Sequence, residues 1–203
     1  MEITRPVQDQ PNLIVVENLL SEEDHLLLKQ WCLLNHSKNP KSGGWPYDYE
    51  IPNIRDDAHK LVQPILEKLE NMAQALFSLE YSFIAFGDQW HSYGNPAVLE
   101  PGHKMKMHDD GPPNSVIGNT VRSAAFLYYI AADIDGGELS YPKLGIDFKP
   151  VENTAILHVN DPQFTHGVKE VARGWRIAYG FFGYEHYESS DLMPYDTERP
   201  WGT

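Results

Sequence analysis

From Leu79 onward the chain is broken into short apolar runs. YSFIAFGDQWHSY, KMKMHDDG, RSAAFLYYI, ELSYP, AILHV and WRIAYGFFGYEHY follow one another, each bounded by Gly, Pro, Asn or Asp. Aromatic and β-branched residues in the runs favour an extended backbone, and the bounding residues are those that turn one. Strands this short and this regularly punctuated predict a β-sandwich or barrel.

The N-terminal part reads differently. Asn12-Leu-Ile-Val-Val16 predicts a strand, after which Ser21 offers an N-cap hydroxyl with the Asp24 carboxylate three residues on, ahead of Leu26, Leu27, Leu28, Trp31 and Leu34 at helical spacing. Cys32 sits within that helix and reads as core filling; as the single cysteine it forms no internal disulfide. A second helix is expected from Asp57 to Ser78, carried by Leu61, Ile65, Leu66, Leu69, Met72 and Leu76. Between the helices, residues 36–56 mix Pro, Gly, Ser and Asn with aromatics, so no regular element is expected; the segment is either a lid or a surface excursion with Trp45 and Tyr47 tucked into the core. The polar tail, 188–203, reads as a strap or as disordered. A length of 203 residues suits one domain: a strand and helices over 12–78, a β core over 79–187, and the tail. The expected class is mainly β with flanking helices (α+β).

Composition excludes several functions. With 41% hydrophobic and 12% aromatic residues the chain is globular, and a formal charge of −13 argues against a nucleic-acid surface, which needs clustered Lys and Arg. No apolar run reaches the length of about eighteen residues that a membrane span needs. MEITRPVQDQ lacks the pattern of a signal peptide, so a soluble, cytoplasmic protein is expected.

The chemistry gathers around KMKMHDDG, residues 104–111. If 104–110 is extended, His108 and Asp110 point to one face and can converge on one metal while Asp109 faces away. A His-x-Asp pair alone proves little in a chain with nine histidines. Downstream, HGVKEVARGWR adds His166, with Arg176 ten residues beyond it. Two His and one carboxylate can take one face of an octahedral metal, leaving adjacent positions open, an arrangement associated with non-haem Fe(II) oxygenases.

His108-x-Asp110, the distal His166 and Arg176 together resemble the signature of the 2-oxoglutarate and Fe(II)-dependent dioxygenases, in particular their prolyl 4-hydroxylase-like branch. The likeness continues through Arg122-Ser-Ala-Ala-Phe-Leu-Tyr-Tyr-Ile130, Gly136-Gly-Glu-Leu139 with Pro142, Lys149-Pro150 and Ala155-Ile-Leu157, and covers residues 89–184, with a weaker match from Leu13 through the first helix. The resemblance implies a double-stranded β-helix (jelly-roll) core with two N-terminal helices packed on one sheet. It implies that His108, Asp110 and His166 hold Fe(II), and that 2-oxoglutarate chelates the metal while its far carboxylate pairs with Arg176. Tyr129 matches a tyrosine that donates to that carboxylate in some members, and Tyr93 one near the chelating end. The reaction implied consumes O2 and releases succinate and CO2, with ascorbate as a reductant. Relatives that halogenate replace the carboxylate with a small residue, so Asp110 favours hydroxylation.

Substrate is less constrained. The loops around 36–56 and 111–119 could clasp a peptide carrying a prolyl or other amino-acid residue, but a free amino acid or another small molecule fits the resemblance equally. A non-catalytic jelly-roll protein that keeps the metal as a clip, and a cupin-type enzyme with a more histidine-rich cluster, are the readings from other classes. His91, His103 and His158 are expected to be packing or substrate-side residues, His158 as a hydrogen-bonded core or pocket residue within its apolar strand. His103 and Asp109 are expected to be bystanders, and Gly136-Gly137 a simple turn.

Overall fold

The computed structural model describes residues 2–4, 12–35, 37–38, 49–50, 60–81, 96–110, 116–117 and 120–186. The first helix, α1 (Glu22–Asn35), starts where its sequence signal stands: the Asp24 N–H donates to the Ser21 hydroxyl at 3.2 Å, and Glu22, Glu23 and Asp24 occupy the dipole-positive first turn. The second, α2, spans Gln63–Tyr81 rather than 57–78. Pro64 accounts for the late start, since proline has no N–H to give and its ring would strike a preceding helical turn. The Ile65 and Leu66 amides bond back to the Val62 carbonyl at 3.0 and 3.1 Å. At its other end the helix runs on through Leu79–Tyr81, where a strand was expected to begin.

The strands, in chain order, are β1 (Glu2–Thr4), β2 (Leu13–Glu17), β3 (Ser37–Lys38), β4 (Tyr49–Glu50), β5 (Ala97–Leu99), β6 (Met105–His108), β7 (Val116–Ile117) and β8 (Thr120–Ala131). They continue with β9 (Asp135–Gly136), β10 (Leu139–Tyr141), β11 (Ile146–Phe148), β12 (Thr154–Val159), β13 (His166–Val168), β14 (Val171–Arg173) and β15 (Arg176–His186). A large antiparallel sheet runs β1-β2-β12-β8-β15-β5-β4-β3, with β7 added against β8; a small sheet runs β11-β10-β13-β6, and β14 pairs with β9. Within residues 36–56, where no regular element was expected, β3 and β4 pair with each other and β4 pairs with β5, extending the large sheet at its edge. Two residues of ladder need only backbone, which is why side-chain pattern gave no warning of them. The rest of that segment, with Trp45 and Tyr47, lies outside the described residues, as do the tail from 187, His91 and Tyr93.

The large sheet is buried on both faces, and along most of its strands alternation sorts the residues between two cores. Ile14 and Val16 of β2, Phe126 and Tyr128 of β8, Leu157 of β12 and Tyr179 and Phe181 of β15 form one cluster with Leu28, Trp31 and Cys32 of α1 and Leu69, Ala73 and Phe77 of α2. The intervening Leu13, Val15, Tyr129, Ile156 and Ala178 face the small sheet, where they meet Leu139, Tyr141 and Val168. Cross-strand pairing agrees: Tyr129 lies opposite Ala178 and Thr154, and Leu127 opposite Gly180 and Ile156. The two sheets therefore enclose an inner core, and one end of it holds the polar side chains described next.

Candidate metal centre

His166 and His108 are direct cross-strand partners in the small sheet, with ring centroids 4.5 Å apart. The pairing needs a bulge. Val168 lies opposite Met105, and the register shifts between that pair and the histidines, so β6 carries one residue more than β13 over the same stretch. A regular strand would turn residues three apart to opposite faces; the bulge lets Met105 enter the inner core and still leaves His108 beside His166. Asp110 was expected on the same extended segment, two residues on. It lies instead in a bend beyond the end of β6 and reaches back to the histidines from there.

The three side chains meet. The ligand atoms of His108, Asp110 and His166 all lie within 4.8 Å of one another. Asp110 Oδ1 is 3.7 Å from His108 Nε2, and its Oδ2 is 3.6 Å from His166 Nε2. Each histidine uses Nδ1 on a carbonyl two residues back, His108 on Lys106 O and His166 on Phe164 O, both at 2.9 Å. A carbonyl only accepts, so Nδ1 carries the proton in each ring and Nε2 offers its lone pair toward the carboxylate. That is how metal-bound histidines are held, the far nitrogen fixing tautomer and ring angle. Burial pushes the His166 pKa below its ordinary value, which keeps the ring in the neutral form a metal requires.

The Phe164 carbonyl is itself fixed. Residues Pro162–Phe164 form a 3-10 turn capped by Asp161, which accepts from the Gln163 N–H at 2.8 Å. The Lys143 ammonium reaches across from the turn after β10 and donates to Pro162 O at 2.6 Å and to Thr165 Oγ1 at 3.1 Å. A donor and acceptor set of two imidazoles and one carboxylate suits a first-row divalent metal with open coordination positions, and the tautomers here fit it.

Arg176 opens β15 and is 1% exposed. Its Nη2 stands 3.5 Å from the Tyr129 hydroxyl, its guanidinium lies 5.0 Å from the Tyr129 ring centroid, and its buried Nε has no acceptor among the described residues. No ion pair with a described carboxylate forms there. Burying a guanidinium unpaired is costly, so such a site is built to receive an anion, and a planar fork receives a carboxylate best. Burial raises the Tyr129 pKa, against the opposing pull of Arg176, and leaves its hydroxyl protonated and able to donate. Gly136 and Gly137 do more here than turn the chain. Both have positive φ, and a Cβ on Gly137 would come within 2.8 Å of Ile134 Cδ1 and 3.5 Å of Arg176 Cδ, so the pair threads a space beside the arginine stem that admits only backbone.

Among the other expected residues, His103 stands 3.6 Å from Glu100 and Asp109 is exposed, and neither joins the three-ligand set. His158 is closer to the centre than sequence reasoning placed it. Its position two residues after inward-facing Ile156 was the available signal, since residues two apart in a strand share a face.

Residues 89–184 match the sequence profile of the 2OG-Fe(II) oxygenase superfamily. Over those residues the chain is similar to this superfamily. No curated protein sequence matches it. The chain shares its fold with solved prolyl hydroxylases. One is the viral collagen prolyl hydroxylase of Paramecium Bursaria Chlorella virus-1 in its 2OG complex, at TM-score 0.59 and 16% identity over 87% of this chain and 97% of that one. Another is a Trichoplax adhaerens prolyl hydroxylase in complex with a hypoxia inducible factor oxygen degradation domain peptide fragment, at 0.63 and 15% over 87% and 85%. A third is a Pseudomonas putida prolyl-4-hydroxylase, at 0.61 and 14% over 87% and 94%. Among the described residues no helix of the protein is long and apolar enough to cross a membrane.

Proposed function

We propose that the protein is a hydroxylase that uses Fe(II) and 2-oxoglutarate to insert one oxygen of O2 into a C–H bond of a prolyl or other amino-acid residue in a peptide. The other oxygen leaves in succinate as 2-oxoglutarate loses CO2, so the reaction balances without a further reactant. The observation that carries this reading is the convergence of His108, Asp110 and His166 on one point. Bound metal and co-substrate supply the oxidising chemistry. The protein's own residues orient and shelter it. His108, Asp110 and His166 hold the iron; Arg176 and Tyr129 take the far carboxylate of 2-oxoglutarate, whose charge balances the buried guanidinium; Tyr93 serves the chelating end. Aromatic packing of Tyr141 against His166, with ring centroids 5.5 Å apart, keeps bulk water from that side of the centre.

A peptide substrate is supported by the shared fold, since one similar structure holds a peptide. The test is succinate formation with Fe(II), 2-oxoglutarate and ascorbate. Peptide-dependent turnover in the parent and its loss in His166→Ala are the expected results; undiminished turnover in His166→Ala would refute the iron assignment. A panel of proline-containing peptides set against free amino acids decides substrate class, because only the true class raises succinate above the uncoupled background.

A further inference from the structure

Between the pairs His166–His108 and Val168–Met105, one residue of β13, Gly167, faces two of β6, Lys106 and Met107. Gly167 is buried. A Cβ built on it would come within 2.9 Å of Met105 O, 3.0 Å of Met107 Sδ and 3.1 Å of Lys106 C. Ordinary cross-strand neighbours keep their Cβ atoms about 4.5 Å apart or more, so the bulged backbone of β6 lies folded down onto the place where a side chain would stand. Conformation is not what calls for glycine here. Gly167 lacks the positive φ of Gly136 and Gly137, so an alanine could take its backbone angles and would fail only for want of room. Two of the three crowded atoms are main chain, which cannot swing aside as a side-chain end can.

With a methyl group there, β6 itself would have to lift, and the part that lifts carries the Lys106 carbonyl. That carbonyl accepts from His108 Nδ1 at 2.9 Å, so its position sets the tautomer of the ring and the aim of Nε2. His166 does not share this dependence. Its acceptor, Phe164 O, belongs to the 3-10 turn that Lys143 holds, and its ring packs against Tyr141 at 5.5 Å and His158 at 5.0 Å between centroids. His158 brings Nε2 to 3.6 Å from Asp110 Oδ2 but stands outside the three-ligand set. A shift of β6 therefore reaches one imidazole of the pair and spares the other.

We propose that Gly167 is a positioning residue of the metal centre: having no side chain, it lets the bulged backbone of β6 settle onto β13 and so places the Lys106 carbonyl where it aims the His108 ring. This rests on reading the centre as an iron site. Ligands must be held to within about 0.5 Å of their working geometry, and a displacement of a few tenths of an ångström at the acceptor, carried outward to Nε2, is on that scale.

The experiment is proton NMR of the Co(II)-loaded protein, in which each bound imidazole gives one strongly shifted, exchangeable Nδ1–H signal; His108 and His166 both hold that proton on a carbonyl. Two such signals are expected in the parent. In Gly167→Ala one should move or be lost to solvent exchange while the other keeps its position, and Co(II) affinity, read by chelator competition, should fall by about tenfold, the scale on which metal-site partners act. Gly102→Ala is the control for instability alone, because its site has φ +89° and no atom within 4 Å of the added methyl; it should melt earlier yet keep both signals and the parent's affinity. Parent-like signals and affinity in Gly167→Ala overturn the proposal and leave the iron site standing. So does a Gly167→Ala chain that no longer melts cooperatively, which would place the need for glycine in the sheet as a whole, and so does the same displaced signal in Gly102→Ala. No Co(II) uptake by the parent overturns both the proposal and the iron site.

Discussion

At the scale of single residues the most informative side chain is Arg176, because burial makes its role testable apart from the metal. A lysine keeps the charge but not the fork, so Arg176→Lys should raise the KM for 2-oxoglutarate at least tenfold, about 1.4 kcal/mol of binding, while kcat changes much less. Steady-state titration of co-substrate at saturating Fe(II) measures both. A fall in kcat with KM unchanged would mean that the guanidinium is not gripping co-substrate. Much at this scale was legible: His108, Asp110, His166 and Arg176 are residue types whose chemistry survives without coordinates. What could not be read was the distance between them. His158 shows the reason, since a histidine in an apolar strand looks the same whether its ring ends among side chains or beside a carboxylate. The interior parity of β12 was visible, but which strand would lie opposite was not.

At the scale of elements, local signals held where one interaction decides the outcome and failed where pairing did. The Ser21 cap announced α1 because a hydroxyl and an amide three residues apart settle it. The placement of Asp110 failed because β6 ends at His108 and is bulged, a feature set by β13 and not by β6 itself. Turns can be tested directly. Gly137→Ala must adopt φ near +70° and push against Ile134, so chemical denaturation should show a loss of about 1–3 kcal/mol. A change below a few tenths would mean the loop relaxes freely. The junction of α1 with the large sheet was also illegible, since its partners are 103 residues apart: His25 Nδ1 meets the Tyr128 hydroxyl at 2.7 Å, and that hydroxyl donates to Asn153 Oδ1 at 3.1 Å. His25 Nε2 faces Glu152 at 3.7 Å, and Lys29 binds Glu152 at 2.7 Å. Burial holds the His25 pKa below its ordinary 6.5, with Glu152 pulling it up and Lys29 pushing it down. The unfolded chain therefore binds the proton first as pH drops, and stability should decline from about 6.5 downward. His25→Gln should flatten that decline; an unchanged slope would place the titration elsewhere.

At the scale of the whole molecule, occupancy and stability are linked. Ligands that bind only the folded protein stabilise it by about 2.7 kcal/mol at a hundred times Kd. For a chain of this size that is roughly 5–10 °C in Tm. Metal plus 2-oxoglutarate should give such a shift in a thermal melt, and Arg176→Met should lose the co-substrate's share while keeping the metal's. Equal shifts in the two proteins would exclude Arg176 as the anchor. The layering of helices, large sheet, inner core and small sheet was foreseeable as a sandwich from the cadence of short strands, whereas the assignment of each ligand to one sheet was not. That assignment matters mechanically. His108 and His166 ride on the small leaf, and Arg176, Tyr129 and His158 on the large one. A keto-diacid held at both its ends, as proposed, would be a tie-rod bolted between two plates, and sliding one plate over the other would loosen both bolts together.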